Sequence, residues 1–134
     1  MNIKLLLQLS LFGLIMAFAT VSLIPEKIEP LFWLIIFSFC AYVIAKVVTG
    51  KYFLHGFLLS IFNSVWITAV HTFFYNGYIF HHPDMAAMVP KLGYFSIHPR
   101  QMMLCMGLPV GAAFGLIQGL FAFVASKIAK PKTA

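Results

Sequence analysis

Residues 5–24 read LLLQLSLFGLIMAFATVSLI, twenty positions without one charge. At about 1.5 Å per residue, such a helix is roughly 30 Å long, the thickness of a bilayer's hydrocarbon core. The segment Pro25-Glu26-Lys27-Ile28-Glu29-Pro30 then ends it, with two prolines and three charges in six residues. Pro30 suits the first turn of a following helix.

The same pattern recurs downstream. Leu31 to Val48 is a second apolar run, and Lys46 near its end can snorkel to the headgroups. Thr49-Gly50-Lys51 forms a turn. From Tyr52 to Phe80 there is no Asp, Glu, Lys or Arg, and the run exceeds what a perpendicular span needs. Pro83 disfavours helix at His82, so this span should end there. A fourth run goes from Gln101 to about Ser126, followed by Lys127, Lys130 and Lys132.

The expected fold is an all-α integral membrane protein. It is a four-transmembrane-helix bundle in a single domain over 1–134, with spans near 5–24, 31–48, 53–82 and 101–126. The outer loop, 83–100, should hold a short helix opening at Pro83, where a proline and Asp84 suit a first turn. A competing reading takes Lys4, the apolar stretch and Ala17-Phe18-Ala19 as a cleavable secretory signal. The run continues to Ile24, which favours a span.

Composition agrees with lipid as the solvent: 62% of residues are hydrophobic and 9% charged, against about 25% charged in soluble domains. The net charge of +6 comes from basic residues scattered between apolar runs. No basic patch interleaves with stacking aromatics, so nucleic acid is not an expected partner. Lys4, Lys46, Lys51, Lys127, Lys130 and Lys132 fall on one side, and Lys27, Lys91 and Arg100 on the other. The excess places both termini in the cytoplasm and the chain in the cell membrane. Cys40 and Cys105 make no CxxC and read as buried thiols.

Three groups of residues stand out. Gly107, Gly111, Gly115 and Gly119 recur at every fourth position of the fourth span. They form a smooth stripe on which another backbone can pack closely. On the third span Ser60, Ser64, Thr68, His71, Tyr75, Tyr78 and His82 follow helical spacing. Equal depth in antiparallel spans would set Ser60, Ser64 and Thr68 against Gly119, Gly115 and Gly111, with Gln118 reaching Ser60 or Asn63. His71, Tyr75, Tyr78 and His82 are then a candidate polar site, a hydrogen-bonded chain leading inward from the outer surface. The bland alternative bonds His71 to the Cys105 carbonyl, which Pro109 leaves without its helical donor.

The third group is His81, His82, Asp84 and His98 in the outer loop, near Met85, Met88, Met102, Met103 and Met106. Imidazole with thioether suits copper, and imidazole with carboxylate suits zinc or iron. The spacing matches no established metal motif. No acid lies within a span, and no phosphate loop, HExxH or nucleophile triad appears.

The expectation for function is a small polytopic membrane protein without recognisable catalysis or cofactor. It would act as an assembly or complex subunit through close helix packing, with a second copy or another membrane protein as partner. One alternative is a small transporter or channel built on the outer-leaflet His/Tyr site. The other is a metal-binding membrane protein holding copper, zinc or haem.

Overall fold

A backbone in hydrocarbon has no water to bond, so each charge-free run must satisfy its own N–H and C=O groups as helix. The computed structural model describes residues 1–129, which contain helices and no strands. Helix α1 is Ile3–Ser22, opened by Asn2, whose Oδ1 accepts from the Leu5 N–H at 3.1 Å. Helix α2 is Glu29–Val47, with Pro30 in its first turn and the Glu29 carboxylate at the positive end of its dipole. Lys51, left-handed at φ 52°, turns the chain into α3, Tyr52–Phe73. Then come α4 (Tyr75–His81), α5 (Pro83–Met88), a 3-10 turn (Val89–Lys91), α6 (Tyr94–Ile97) and α7 (Pro99–Ile128).

Helices α1, α2, α3 and α7 are long and apolar enough to cross a membrane, the make-up of a multi-pass membrane protein. Lys130 and Lys132, counted in the charge balance, lie outside the described residues.

The polarity of the molecule is inverted. Leu7, Leu11, Ile15, Leu34, Ile35, Leu108, Leu116 and Leu120 are exposed, while Ser10, Thr20, His55, Ser60, Asn63, Ser64, His71 and Gln118 are buried. Water as solvent would penalise that arrangement on both counts; lipid rewards it.

The third span departs from expectation. It does not run unbroken over 53–82 but stops at Phe74 (φ −96°, ψ 32°). The surplus length lies beyond this break, in a separate helix. Helix α4 folds across the end of α1, where Phe74 meets Phe18 edge-on at 5.9 Å and Gly77 faces Val21. Helix α5 does begin at Pro83, with Asp84 in its first turn.

Helix α3 lies at the centre, with α7 along one flank and α1 along the other, and α2 leans on α7. Side-chain bonds hold α1 to α3 at three depths. The Asn2 N–H donates to His55 Nε2 (3.2 Å), Trp66 Nε1 donates to Ser10 Oγ (3.1 Å), and His71 Nε2 lies 2.8 Å from Thr20 Oγ1.

The α3–α7 seam is close and built on small residues. A Cβ on Gly56 would sit 2.5 Å from the Gln118 carbonyl oxygen, and one on Gly119 would sit 2.8 Å from the Phe53 ring. Gly111 faces Ser64 and Gly107 faces Thr68. The register is therefore one helical turn away from the equal-depth estimate, which set Ser64 against Gly115 and Thr68 against Gly111. The reason is Gly56, which lets the α7 backbone at Gln118–Gly119 seat deeper along α3. Gln118 consequently does not reach Ser60 or Asn63; its Nε2 donates to the Phe37 carbonyl of α2 at 3.3 Å.

Candidate functional site

Toward the end of the molecule holding Asn2 and Thr49 (the terminus end) the space between the helices is packed. Leu6 and Leu9 of α1, Cys40, Ala41 and Ile44 of α2, Leu59 of α3 and Ala122 of α7 form one cluster there. At the opposite, loop end α2 stands away from α3, and a cavity of about 430 Å³ opens between α2, α3 and α7. That size falls in the range typical of small-molecule sites, roughly 300–1,000 Å³.

Each wall has its origin in one helix face. Glu26 of the turn before α2 and Glu29 at the start of α2 stand at the rim, with Trp33 and Phe37 of α2 below. From α3 come Ser60, Ser64, Thr68 and His71, the successive turns of its polar stripe. From α7 come Gly107, Gly111 and Phe114, and Tyr78 of α4 covers the rim. Phe37 meets Phe114 and Phe121 edge-on at 6.2 and 6.4 Å, and these rings form the floor.

Three of the four residues expected in an outer-leaflet site come together, though not as a hydrogen-bonded chain. The rings of His71 and Tyr78 stack at 4.2 Å and 29°, and those of Tyr78 and His82 at 3.9 Å and 19°. On a continuous helix seven residues advance about 10 Å, so the break at Phe74 is what folds Tyr78 back over His71. Tyr75 stands outside the stack.

His71 does not bond the Cys105 carbonyl. Its partner is Thr20, whose Oγ1 lies 2.8 Å from both the Met16 carbonyl oxygen and His71 Nε2. A carbonyl can only accept, so the hydroxyl proton goes to Met16 and the imidazole Nε2–H donates to Thr20. The remaining lone pair of His71 is then on Nδ1.

Comparison with protein-family models, with curated proteins and with solved structures finds no match. The site must be read from its own chemistry.

His81, His82, Asp84 and His98 are not gathered into a metal centre. Among the described residues no three His, Cys, Asp or Glu side chains are placed to hold an ion. His81 Nδ1 donates to the Gly77 carbonyl at 2.9 Å, Asp84 sits exposed in α5, and His98 lies against Tyr94 at 4.6 Å. Only His82 turns inward. Its ring is 1% exposed, Nδ1 donates to the Tyr78 carbonyl at 2.8 Å, and Nε2 points at Glu29 Oε2 from 3.6 Å.

Glu26, Glu29 and Trp33 were not among the residues expected to matter. One sign was available: Glu29 and Trp33 stand four apart, so on a helix they are neighbours, and Trp33 Nε1 donates to Glu29 Oε1 at 3.1 Å. His55 was also passed over. It is 2% exposed, with Nδ1 donating to the Lys51 carbonyl at 2.8 Å and Nε2 accepting from Asn2. Both ring nitrogens are engaged, so His55 fastens the N-terminal residues to α3. A hollow of about 560 Å³ beside it, between Met1, Asn2, Thr49 and Lys51, is wider and shallower than the loop-end cavity.

Proposed function

We propose that the protein is a multi-pass protein of the cell membrane whose four spans form a bundle around a solute-binding vestibule, and that it acts as a carrier or receptor for a small molecule. The observation that carries this reading is the loop-end cavity, lined in depth by Thr68, His71 and Tyr78 and closed below by Phe37, Phe114 and Phe121. A mostly apolar cavity between helices, with a few polar groups in its wall, is the usual form of a ligand site in such folds.

Both termini belong on the cytoplasmic side in this proposal, on the balance of basic residues, so the vestibule faces outward. The alternative of action through assembly with a second copy or a larger complex drew its support from the glycine stripe. Gly107, Gly111, Gly115 and Gly119 all face α3 of the same chain, so that support passes to intramolecular packing.

Cysteine accessibility tests the vestibule. In a Cys105→Ala background, with Cys40 shielded at 1% exposure, Thr68→Cys should react with a small impermeant thiol reagent supplied at the loop side. Ala45→Cys, at 0% exposure in the filled end, should not. A folded protein whose position 68 stays unreactive has no open vestibule. Ala87→Cys, exposed in α5, should be labelled on intact cells; labelling only after the membrane is opened would reverse the orientation.

A further inference from the structure

The cavity's charge opposes that of the chain. Nine basic residues outnumber three acidic ones, yet two of those acids, Glu26 and Glu29, line the cavity and, among the described residues, no Lys or Arg does. Any charged solute entering therefore meets carboxylates first.

Two of the hydroxyls deeper in the cavity have their protons committed. Ser60 Oγ donates to the Gly111 carbonyl at 3.1 Å, and Ser64 Oγ donates to the Ile61 carbonyl at 2.8 Å. Each keeps only lone pairs for a ligand. His71 donates through Nε2 to Thr20 and has a lone pair at Nδ1.

His82 supplies the most specific sign. With Nδ1–H given to the Tyr78 carbonyl, a neutral ring carries its lone pair on Nε2. That atom is buried, has no hydrogen-bond partner, and faces a Glu29 carboxylate oxygen at 3.6 Å. Glu29 Oε1 already receives the Trp33 N–H. His82 Nε2 is thus a buried, unpaired acceptor beside the partly exposed Glu29 carboxylate, and a neutral ring gives that carboxylate no proton. Beside this point stand the rings of Trp33, bonded to Glu29, and Tyr78, stacked on His82, whose faces attract cations.

Resting on the vestibule reading, the geometry points to a lipophilic ammonium ion as the occupant. Its nitrogen sits at the rim beside Glu26 and Glu29, and its apolar body extends toward Phe37 and Phe114. The N–H groups donate to the carboxylate oxygens, the positive charge matches them, and the apolar remainder fills a space that water would occupy poorly.

The test uses the full chain purified in mild detergent and three probes that share one cage: 1-adamantylammonium, 1-adamantanol and adamantane-1-carboxylate. Saturable binding is measured by titration calorimetry against empty micelles. The ammonium should bind at least tenfold more tightly than the other two. Glu29→Gln, which keeps an acceptor for Trp33 while removing the charge, should weaken the ammonium at least tenfold and leave the alcohol unchanged. Val110→Phe, at a cavity-lining position that is 43% exposed and so free to take a larger side chain, should abolish saturable binding of all three. If the alcohol or carboxylate binds as tightly as the ammonium and Val110→Phe still abolishes it, the cation assignment falls and the vestibule stands. If no probe binds saturably to a protein whose helicity and elution are normal, the vestibule falls with it.

Discussion

At the terminus end Leu6, Leu9, Ile44, Leu59 and Ala122 fill the space between four helices; at the loop end the same helices leave about 430 Å³ between them. Hydrophobicity does not separate the two ends, since Trp33, Phe37 and Phe114 are as apolar as the residues that close the other. Size does. Ala41 and Ala45 on α2, Gly56 on α3 and Gly119 and Ala122 on α7 let backbones approach at the terminus end. At the loop end Phe37 against Phe114 props α2 away from α3. Lipid offers no hydrophobic drive to collapse such a gap, so side-chain volume decides whether helices close.

The largest expected effect comes from enlarging the closest approach. Gly56→Leu would drive a branched side chain into the Gln118 and Gly119 backbone, which cannot rotate aside as a side chain could. Overpacking typically costs about 1–3 kcal/mol, and backbone on both sides puts this variant at or beyond the upper end. It should lose its single elution peak in mild detergent. Gly107→Leu meets only the Thr68 side chain, which borders the cavity, and should cost clearly less. Equal losses would mean that the loop end is as tightly built as the other.

Removing volume should discriminate in the same direction. Leu59 is 0% exposed in the filled cluster, so Leu59→Ala should cost about 2 kcal/mol or more through the void it leaves. Ile67→Ala on the cavity wall enlarges a space that already exists and should stay within about 0.5 kcal/mol. Unfolding in mixed micelles measures both.

The spans were legible because length and absence of charge are one-dimensional properties: the first helix stands at Ile3–Ser22 against an expected 5–24, and the second at Glu29–Val47 against 31–48. The break at Phe74 was not, because residues 73–76 contain neither glycine nor proline; it depends on α1 ending where α4 can cross it. The site was half legible. Helical spacing put Thr68, His71, Tyr78 and His82 on one side of the chain, but the spacing of α3 alone says nothing of what faces it. Glu29 and Trp33 belong to α2, and Thr20 to α1. Assigning these partners needs the order in which helices pack, which depends on Gly56 and Gly119 meeting across the seam.

At the loop end His71→Gln separates structure from function. Glutamine can still donate to Thr20, and single interhelical side-chain bonds in membrane proteins average only about 0.6 kcal/mol. Stability should therefore fall by less than about 1 kcal/mol. Glutamine cannot stack on Tyr78 as imidazole does at 4.2 Å, so binding of 1-adamantylammonium should weaken several-fold. Unchanged binding would remove His71 from the site and leave it a strut between α1 and α3.

The smallest expected change is at Gln118, a polar residue in the end that size is said to govern. It is 0% exposed, and its one hydrogen bond is long, Nε2 to the Phe37 carbonyl at 3.3 Å. Its Oε1 is buried with no partner. The Phe37 carbonyl also lies within α2, where the helical ladder supplies another donor. Gln118→Met keeps the length and volume of the side chain, gives up a weak bond and removes an unpaired acceptor. These two effects oppose each other, and the net change should lie within about 0.5 kcal/mol. Gln118→Ala keeps neither the bond nor the volume and should cost more than Gln118→Met, because the void remains. If methionine cost as much as alanine, about 2 kcal/mol each, the amide rather than its volume would hold the terminus end shut. The contrast between the two ends would then be one of hydrogen bonding, and Phe37 would link them through its carbonyl at one end and its ring at the other.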